Sequence, residues 1–428
     1  MNVASSSTTF FIAVLVVLVV CRLVSWVGGK VGQPPVVGEM VAGVLLGPSL
    51  LGLLSPGIEN FLFPAAGRAL LYTGGQIGLV LYMFGAGYEF STDRMRRSAK
   101  SVGLISLSGT SIPLLLGVLV TIFGRGWGNV LKPGVSLTTS AAFVGVALAI
   151  TAFPMMARII TERGIANTKF GSLALACGAA DDVLAWILLA IVLSMATGSS
   201  GPALLAAIGA VVFALLLVFG LRPLLHRTIR DNDRTSPDQL LLITIITVLA
   251  GATFTDKIGL YAVFGAFCVG IVFPRNEAAD RVFAAIGPIA RIVFLPLFFA
   301  YSGLNTRFAL LSDPGLLGFA VVCVVIAIVG KFGACRFAAR AAGEPAPVAT
   351  QVSILMNARG LMQLIALNVG LQAGIVSSRL FTVLVLVALV TTIMTAPWLS
   401  WYERRLHRKG NSPGDSDHTS LEHSTMPV

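Results

Sequence analysis

Apolar runs long enough to cross a bilayer follow one another along almost the whole chain, and short polar or Gly- and Pro-containing stretches separate them. Since about 20 residues of α-helix cross a hydrocarbon layer of about 30 Å, each run predicts a transmembrane helix. The pattern therefore predicts an all-α polytopic membrane protein. We predict thirteen spans, at residues 9–27, 35–54, 68–88, 101–123, 136–158, 170–197, 203–222, 238–255, 258–274, 287–304, 316–340, 347–371 and 380–401.

Composition narrows the class of protein. Of the 428 residues, 56% are hydrophobic and only 11% are charged, whereas soluble domains carry about 25% charged residues. The low fraction of charged residues therefore excludes a soluble enzyme and a disordered scaffold. The net charge of +11 does not indicate a nucleic-acid partner, because in a membrane protein an excess of Lys and Arg reflects topology. The cysteines lie in apolar runs without a CxxC pair and the histidines lie in polar stretches, so we expect no cofactor and no resident metal.

The basic residues are distributed very unequally between the two sides of the predicted membrane domain. Loops after odd-numbered spans, together with the C-terminal segment, carry 22 of the 30 Lys and Arg residues, and the other loops carry six. Because basic loops stay in the cytoplasm, we expect the N-terminus outside and the C-terminus inside. We expect a transmembrane domain at 1–408, a disordered cytoplasmic tail at 409–428 and a location in a bacterial inner membrane.

Two adjacent acids, Asp181 and Asp182, lie near the middle of the sixth predicted span. Burying a charge there is expensive, and two neighbouring carboxylates cannot easily both stay ionised. The pair can hold either a proton or a monovalent cation, which is the minimum chemistry for exchanging one for the other; the alternative is that it only satisfies buried polar neighbours. Lys331, in the eleventh span, is the natural counter-charge, unless it snorkels to the interface.

Two spans are interrupted by residues that disfavour a regular helix. The fifth contains Thr151-Ala-Phe-Pro154 and the twelfth contains Asn357-Ala-Arg-Gly360. Irregular backbone at membrane depth is tolerated only where it lines protein or a water-filled cavity, and paired interruptions point to a transporter's binding site. We expect the half-helix ends to lie near the aspartates, with Arg359 offsetting carbonyl ends.

The positions of the two interruptions also predict an inverted repeat. If spans one to six repeat as spans eight to thirteen, the fifth and twelfth spans correspond and the two halves have opposite topology. The repeats then cover about 9–197 and 238–402, joined by a linker helix at about 203–222. Glu39, near the cytoplasmic end of the second span, either lines an ion funnel or caps a helix.

The ordered motifs of the chain resemble the monovalent cation:proton antiporter-2 family, and most closely the potassium/proton-exchanger branch that includes the plant cation/H⁺ exchangers. This resemblance implies the sodium/proton antiporter fold, in which two broken helices cross. It also implies a dimerisation domain, a six-helix core, a homodimer and elevator-like alternating access. The motifs are PPVVGEMVAGVLLGPSLLG at 34–52, ITAFPMMARIITERG at 150–164, AADDVLAWILLA at 179–190, AVFGAFCVGIVFPR at 262–275, LPLFFAYSGL at 295–304 and LMNARGLMQLIALNVG at 355–370.

The resemblance also implies roles for individual residues. By analogy, Asp182 is the main carrier of the cation and the proton, and Asp181 pairs with Lys331. Thr151 and Pro154 correspond to the Thr and Pro of the family's broken helix. Two departures concern ion choice and stoichiometry: relatives of the branch commonly have Glu at the position of Gln363, and many have Asn at that of Asp181.

Three classes of function remain open at this point. The first is a secondary antiporter that exchanges Na⁺ or K⁺ for protons, with Asp181 and Asp182 as ligands of the transported cation only. The second is a proton-coupled exporter of a small organic molecule or ionophore on the same scaffold, and the third is a passive channel. An enzyme is not expected, because no nucleophile, base and orienting group converge in the sequence.

Overall fold

The structure is a computed structural model that describes residues 3–89, 99–197, 200–229 and 236–408, and the regular secondary structure of these residues is entirely helical. Three π-helical turns, Leu216–Leu221, Ala290–Phe294 and Ile326–Gly330, join consecutive helices, and a 3₁₀ turn covers Phe308–Ser312. The α-helices are Val3–Lys30, Pro35–Leu46, Leu51–Leu54, Pro56–Leu62, Ala65–Glu89, Ala99–Phe123, Leu137–Ala149, Phe153–Glu162, Lys169–Thr197, Ser200–Leu215, Arg222–Thr228, Pro237–Lys257, Ala262–Val272, Glu277–Ile289, Leu295–Leu304, Pro314–Val325, Lys331–Ala341, Ala346–Leu355, Leu361–Gln372 and Ser378–Arg408.

The helices agree with the predicted spans. Within the described ranges, ten helices are long and apolar enough to cross a membrane, and each coincides with a predicted span. The fifth, ninth and twelfth predicted spans coincide with shorter apolar helices. The all-helical membrane fold is therefore confirmed, and the predicted tail at 409–428 lies outside the described residues.

One predicted boundary is wrong by more than two turns. The tenth span was predicted to begin at 287, but the helix begins at Glu277. The charged residues of this first part, such as Asp280 and Arg281, look like a loop in sequence. Asn276 nevertheless starts a helix there, because its side chain accepts a hydrogen bond from the backbone N–H of Ala279 at 3.0 Å and so caps the first turn.

The helices pack into two groups joined by the linker helix around 200–228. We call the first group the six-helix core; its members are Ala99–Phe123, the broken span Leu137–Ala149 with Phe153–Glu162, Lys169–Thr197, Pro314–Ala341, the broken span Ala346–Leu355 with Leu361–Gln372, and Ser378–Arg408. We call the second group the scaffold; its members are Val3–Lys30, Pro35–Leu54, Ala65–Glu89, Pro237–Lys257, Ala262–Val272 and Glu277–Leu304.

Two scaffold crossings are so close that only glycine fits. A Cβ atom on Gly43 would lie 2.2 Å from the carbonyl oxygen of Phe299, where the second and tenth spans cross. A Cβ atom on Gly270 would lie 2.2 Å from the carbonyl oxygen of Phe84, where the ninth and third spans cross. Small residues allow such approach of helices in lipid. In the predicted inverted repeat, the second span corresponds to the ninth and the third to the tenth, so the two crossings are equivalent. They support the repeat, and its boundaries stay a prediction.

Two ion pairs join loops that are predicted to lie on the same side of the membrane. Lys169, in the loop after the fifth span, pairs with Glu344, in the loop after the eleventh, at 3.0 Å. Arg379, after the twelfth span, pairs with Asp313, after the tenth, at 2.9 Å. We call the end with the loops after odd-numbered spans the basic end, and the other the opposite end. The assignment of the basic end to the cytoplasm stays a prediction.

Replacing Gly43 by alanine is expected to destabilise the protein by roughly 1–3 kcal/mol, because the new Cβ would collide with the backbone of Phe299 rather than with a side chain that can turn away. Thermal unfolding of the purified protein in detergent measures this. Gly103→Ala is the matched control, because no atom lies within 4 Å of its Cβ position and alanine favours a helix. Equal melting temperatures for the two variants would contradict the tight crossing.

Candidate ion-binding site

The first broken span is interrupted at the predicted position. The half-helix Leu137–Ala149 ends before Ile150, whose backbone leaves the helical conformation with ψ of 130°, and the next half-helix starts at Phe153. Pro154 lies in the first turn of that half-helix, where its missing N–H is not needed. The backbone between the two half-helices is therefore not helical, and it is extended at Ala152.

The second broken span meets the first. Its two half-helices, Ala346–Leu355 and Leu361–Gln372, are separated by a segment that ends at Gly360, whose φ of +139° is accessible mainly to glycine. The backbone N–H of Ala152 donates to the carbonyl of Ala358 at 3.0 Å. The two interruptions therefore satisfy part of each other's backbone hydrogen bonding in a place where water is scarce.

Asp181 and Lys331 form a completely buried ion pair beside this junction. Lys331 Nζ lies 2.8 Å from Asp181 Oδ2 and donates a further hydrogen bond to the carbonyl of Ala149 at 2.9 Å. Thr151 Oγ1 donates to the same carboxylate oxygen at 2.8 Å. The exposed fraction is 2% for Asp181 and 0% for Lys331 and Thr151. The pair thus ties two core helices to the first interruption.

Asp182 is also completely buried but lacks such a partner. Its exposed fraction is 0%, and neither carboxylate oxygen meets the geometry of a hydrogen bond with any residue in the described ranges. The backbone amide of Phe153, at the N-terminus of a half-helix, interacts with this carboxylate, and the partial positive charge of that terminus favours an anion. The structure thus places one neutralised and one incompletely neutralised carboxylate side by side.

Asn357 and Arg359 serve the second interruption. The guanidinium of Arg359 is wholly buried and lies 3.2 Å from the carbonyl of Ala147, near the C-terminus of the first half-helix, through Nη1. Asn357 Nδ2 donates to the carbonyl of Ser353 at 2.8 Å. This bond satisfies a carbonyl in the last turn of the half-helix Ala346–Leu355. Both residues lie at the junction, and within the described ranges their side chains donate to backbone carbonyls rather than to the aspartates.

A cavity of about 690 Å³ leads from the basic end to Phe153. Residues from the scaffold and from the core line it, including Tyr82, Arg158 and Arg291. Glu39 also lines the cavity and lies within the helix that begins at Pro35, which favours the funnel over the helix cap. Sequence reasoning missed Tyr82 and Arg291, because no local pattern shows that these distant residues share one cavity.

Comparison with known proteins extends over nearly the whole chain. Residues 8–402 match the family described as sodium/hydrogen exchanger, transmembrane. The chain is 36% identical over 389 residues to the Na⁺/H⁺ antiporter NhaS4 of Synechocystis sp., covering 90% of this chain and 94% of that protein. It is 33% identical to cation/H⁺ antiporter 17 of Arabidopsis thaliana and 31% identical to K⁺/H⁺ antiporter 1 of Saccharomyces cerevisiae, covering 90% and 92% of this chain.

The chain spans about half the length of the plant and yeast relatives, namely 47% and 46%. Among solved structures, it resembles the sodium proton antiporter MjNhaP1 from Methanocaldococcus jannaschii, with a TM-score of 0.65, 16% identity and coverage of 92% of this chain and 97% of that one. At this identity the likeness concerns the fold alone, and it agrees with the predicted antiporter fold. The family match and the relatives together show that this chain belongs to the sodium/hydrogen exchanger family.

Proposed function

We propose that the protein is a secondary active antiporter that exchanges Na⁺ or K⁺ for protons across a membrane by alternating access. The observation that carries this proposal is the completely buried, incompletely neutralised carboxylate of Asp182 at the junction of two broken helices. Relatives named as Na⁺/H⁺ and K⁺/H⁺ antiporters support both cations as substrates. We class the protein as a transporter rather than an enzyme.

Asp182 is the proposed carrier of both substrates. An ionised carboxylate without a partner is strongly destabilised in a low-dielectric interior. A proton or a bare monovalent cation removes this penalty, but the single negative charge of the carboxylate can be neutralised by only one of them at a time. Binding of one substrate therefore requires release of the other, which is the basis of exchange.

Asp181, Lys331 and Thr151 are proposed to hold the site in shape. Lys331 neutralises Asp181 at 2.8 Å, so that only one net negative charge remains for the substrates. Thr151 links the same carboxylate to the first interruption. Pro154, Asn357, Arg359 and Gly360 maintain the broken helices around it, and Asp181 becomes a second ligand of the cation when the ion pair opens.

The cavity is the proposed entrance from the basic end. It reaches Phe153 from the basic end, and the amide of Phe153 interacts with Asp182, so the proposed route for ions from this side ends next to the carrier. We propose a multi-pass protein of a bacterial inner membrane that works as a homodimer, with its N-terminus outside and the basic end in the cytoplasm. The 22 basic residues assigned to that end support this orientation.

Asp182→Asn is expected to abolish exchange, because an amide carries no charge for a proton or a cation to neutralise. In proteoliposomes with an internal pH dye, Na⁺, K⁺, Li⁺ and Rb⁺ are offered separately, and the cation-dependent pH change should fall to that of protein-free vesicles. Asp238→Asn, which neutralises an exposed acid in the first turn of a scaffold helix, serves as control and should exchange like the parent. Undiminished exchange by Asp182→Asn would end the proposal.

Lys331→Ala is expected to lower the free energy of unfolding by about 3–5 kcal/mol, because it leaves the Asp181 charge buried and unpaired. The double variant Asp181→Asn/Lys331→Met removes both charges and should recover much of this loss. Thermal or denaturant unfolding in detergent measures both, with Lys257→Ala, at an exposed helix end, as control. If the single and double variants are equally stable, the ion pair does not stabilise the core.

A further inference from the structure

A buried hydrogen bond joins the six-helix core to the scaffold at the opposite end from the cavity. Asn368 Nδ2, on the half-helix Leu361–Gln372, donates to Ser302 Oγ, on the helix Leu295–Leu304, at 2.8 Å. The exposed fractions are 3% for Asn368 and 2% for Ser302. The same amide nitrogen also donates to the carbonyl of Leu364, one turn earlier, at 2.9 Å. That second bond fixes the direction in which the amide points.

Two more hydrogen bonds between the core and the scaffold side lie at this end. Tyr72 donates to Gln372 Oε1 at 3.2 Å, and the backbone N–H of Arg307 donates to Thr382 Oγ1 at 3.1 Å. At the basic end the cavity of about 690 Å³ separates the two groups instead, although an exposed bond joins Gln33 to the core there. Among the described residues, the two groups are therefore separated by a cavity at the basic end and hydrogen-bonded to each other at the opposite end.

We propose that the Asn368–Ser302 hydrogen bond is a latch that keeps the route from the opposite end to Asp182 closed while the cavity is open. The proposal rests on the alternating access proposed above. Because the donor belongs to the core and the acceptor to the scaffold, a relative displacement of about 1 Å takes the pair out of hydrogen-bond range. Asn368 is thus a positioning residue, which acts on the balance between the two open states.

The burial of the latch makes its opening depend on water. Losing this bond in a dry interior leaves one N–H of Asn368 without an acceptor and the Ser302 hydroxyl without this donor, which is unfavourable, whereas water can replace the bond at little net cost. Separation of the two groups at this end and entry of water therefore occur together. As long as the latch is closed and dry, this end admits no hydrated ion.

Gln363 provides a matched comparison on the same half-helix. It is also an amide with 0% exposure, and its Nε2 donates to the carbonyl of Leu384 at 3.2 Å. Both of these residues belong to the six-helix core, so this bond moves with the core and does not have to break. Loss of the Gln363 bond should change stability but not the balance between the two open states.

The test is the rate at which an introduced cysteine is modified from the opposite end. Leu364→Cys places a thiol one turn below Asn368, at a position with 3% exposure, where a membrane-impermeant maleimide reaches it only after the latch has opened. The parent without this cysteine gives the background from native thiols. Vesicles of uniform orientation present the opposite end to the reagent.

Asn368→Leu and Ser302→Ala should each raise this labelling rate roughly two- to tenfold, the equivalent of one net hydrogen bond. The labelling rate of the double variant should exceed that of either single variant by little, because all three remove the same bond. Gln363→Met combined with Leu364→Cys should be labelled at the same rate as Leu364→Cys alone. Unchanged labelling in both single variants, or an equal increase in Gln363→Met, would overturn the latch. If Asn368→Leu does not fold, Ser302→Ala, which removes one oxygen atom, decides alone.

Transport kinetics separate this proposal from the proposed function. With the latch removed, the apparent KM for a cation offered at the opposite end should fall by the same factor as labelling rises, because a larger fraction of molecules is competent to bind there. The KM at the basic end should change little. A parent that exchanges no cation but shows latch-dependent labelling would refute the antiport function and leave the latch standing.

Discussion

An ionised side chain inside a helix bundle at membrane depth needs a partner of opposite charge, and this constraint organises the centre of the molecule. Lys331 meets it for Asp181, with help from Thr151 and the carbonyl of Ala149. Among the described residues, Asp182 receives the backbone amide of Phe153 and no counter-charge of its own. The neighbouring acids thus have unequal surroundings, and this inequality is what the exchange proposed for Asp182 uses.

The two broken spans follow from the same constraint. A continuous helix keeps its carbonyls and amides within its own hydrogen-bond ladder, so it has none to offer to Lys331 or Asp182. The interruptions release those groups at the depth of the acids, and the two breaks satisfy each other through Ala152 and Ala358. The buried guanidinium of Arg359 then offsets the half-helix end near Ala147.

Much of the fold and the centre of the site could be predicted from sequence, because lipid penalises exceptions. Span length and hydropathy mark the helices, and the buried charges Asp181, Asp182 and Lys331 stand out against an apolar background. The cavity could not be predicted, because its walls come from distant helices. Nor could the bond between Asn368 and Ser302, since uncharged polar residues are common in membrane helices and these two lie 66 positions apart.

The glycine crossings of the scaffold have a mechanical consequence. Where the backbone of Gly43 touches that of Phe299, no side chain can change rotamer to absorb shear, so the scaffold is stiff. Between scaffold and core, by contrast, side chains meet, as in the edge-to-face contact of Phe153 with Phe267, whose ring centroids are 6.3 Å apart, and side chains can change rotamer. In the alternating access proposed above, the stiff scaffold is therefore the half that keeps its shape, and any change of position is taken up where it contacts the core.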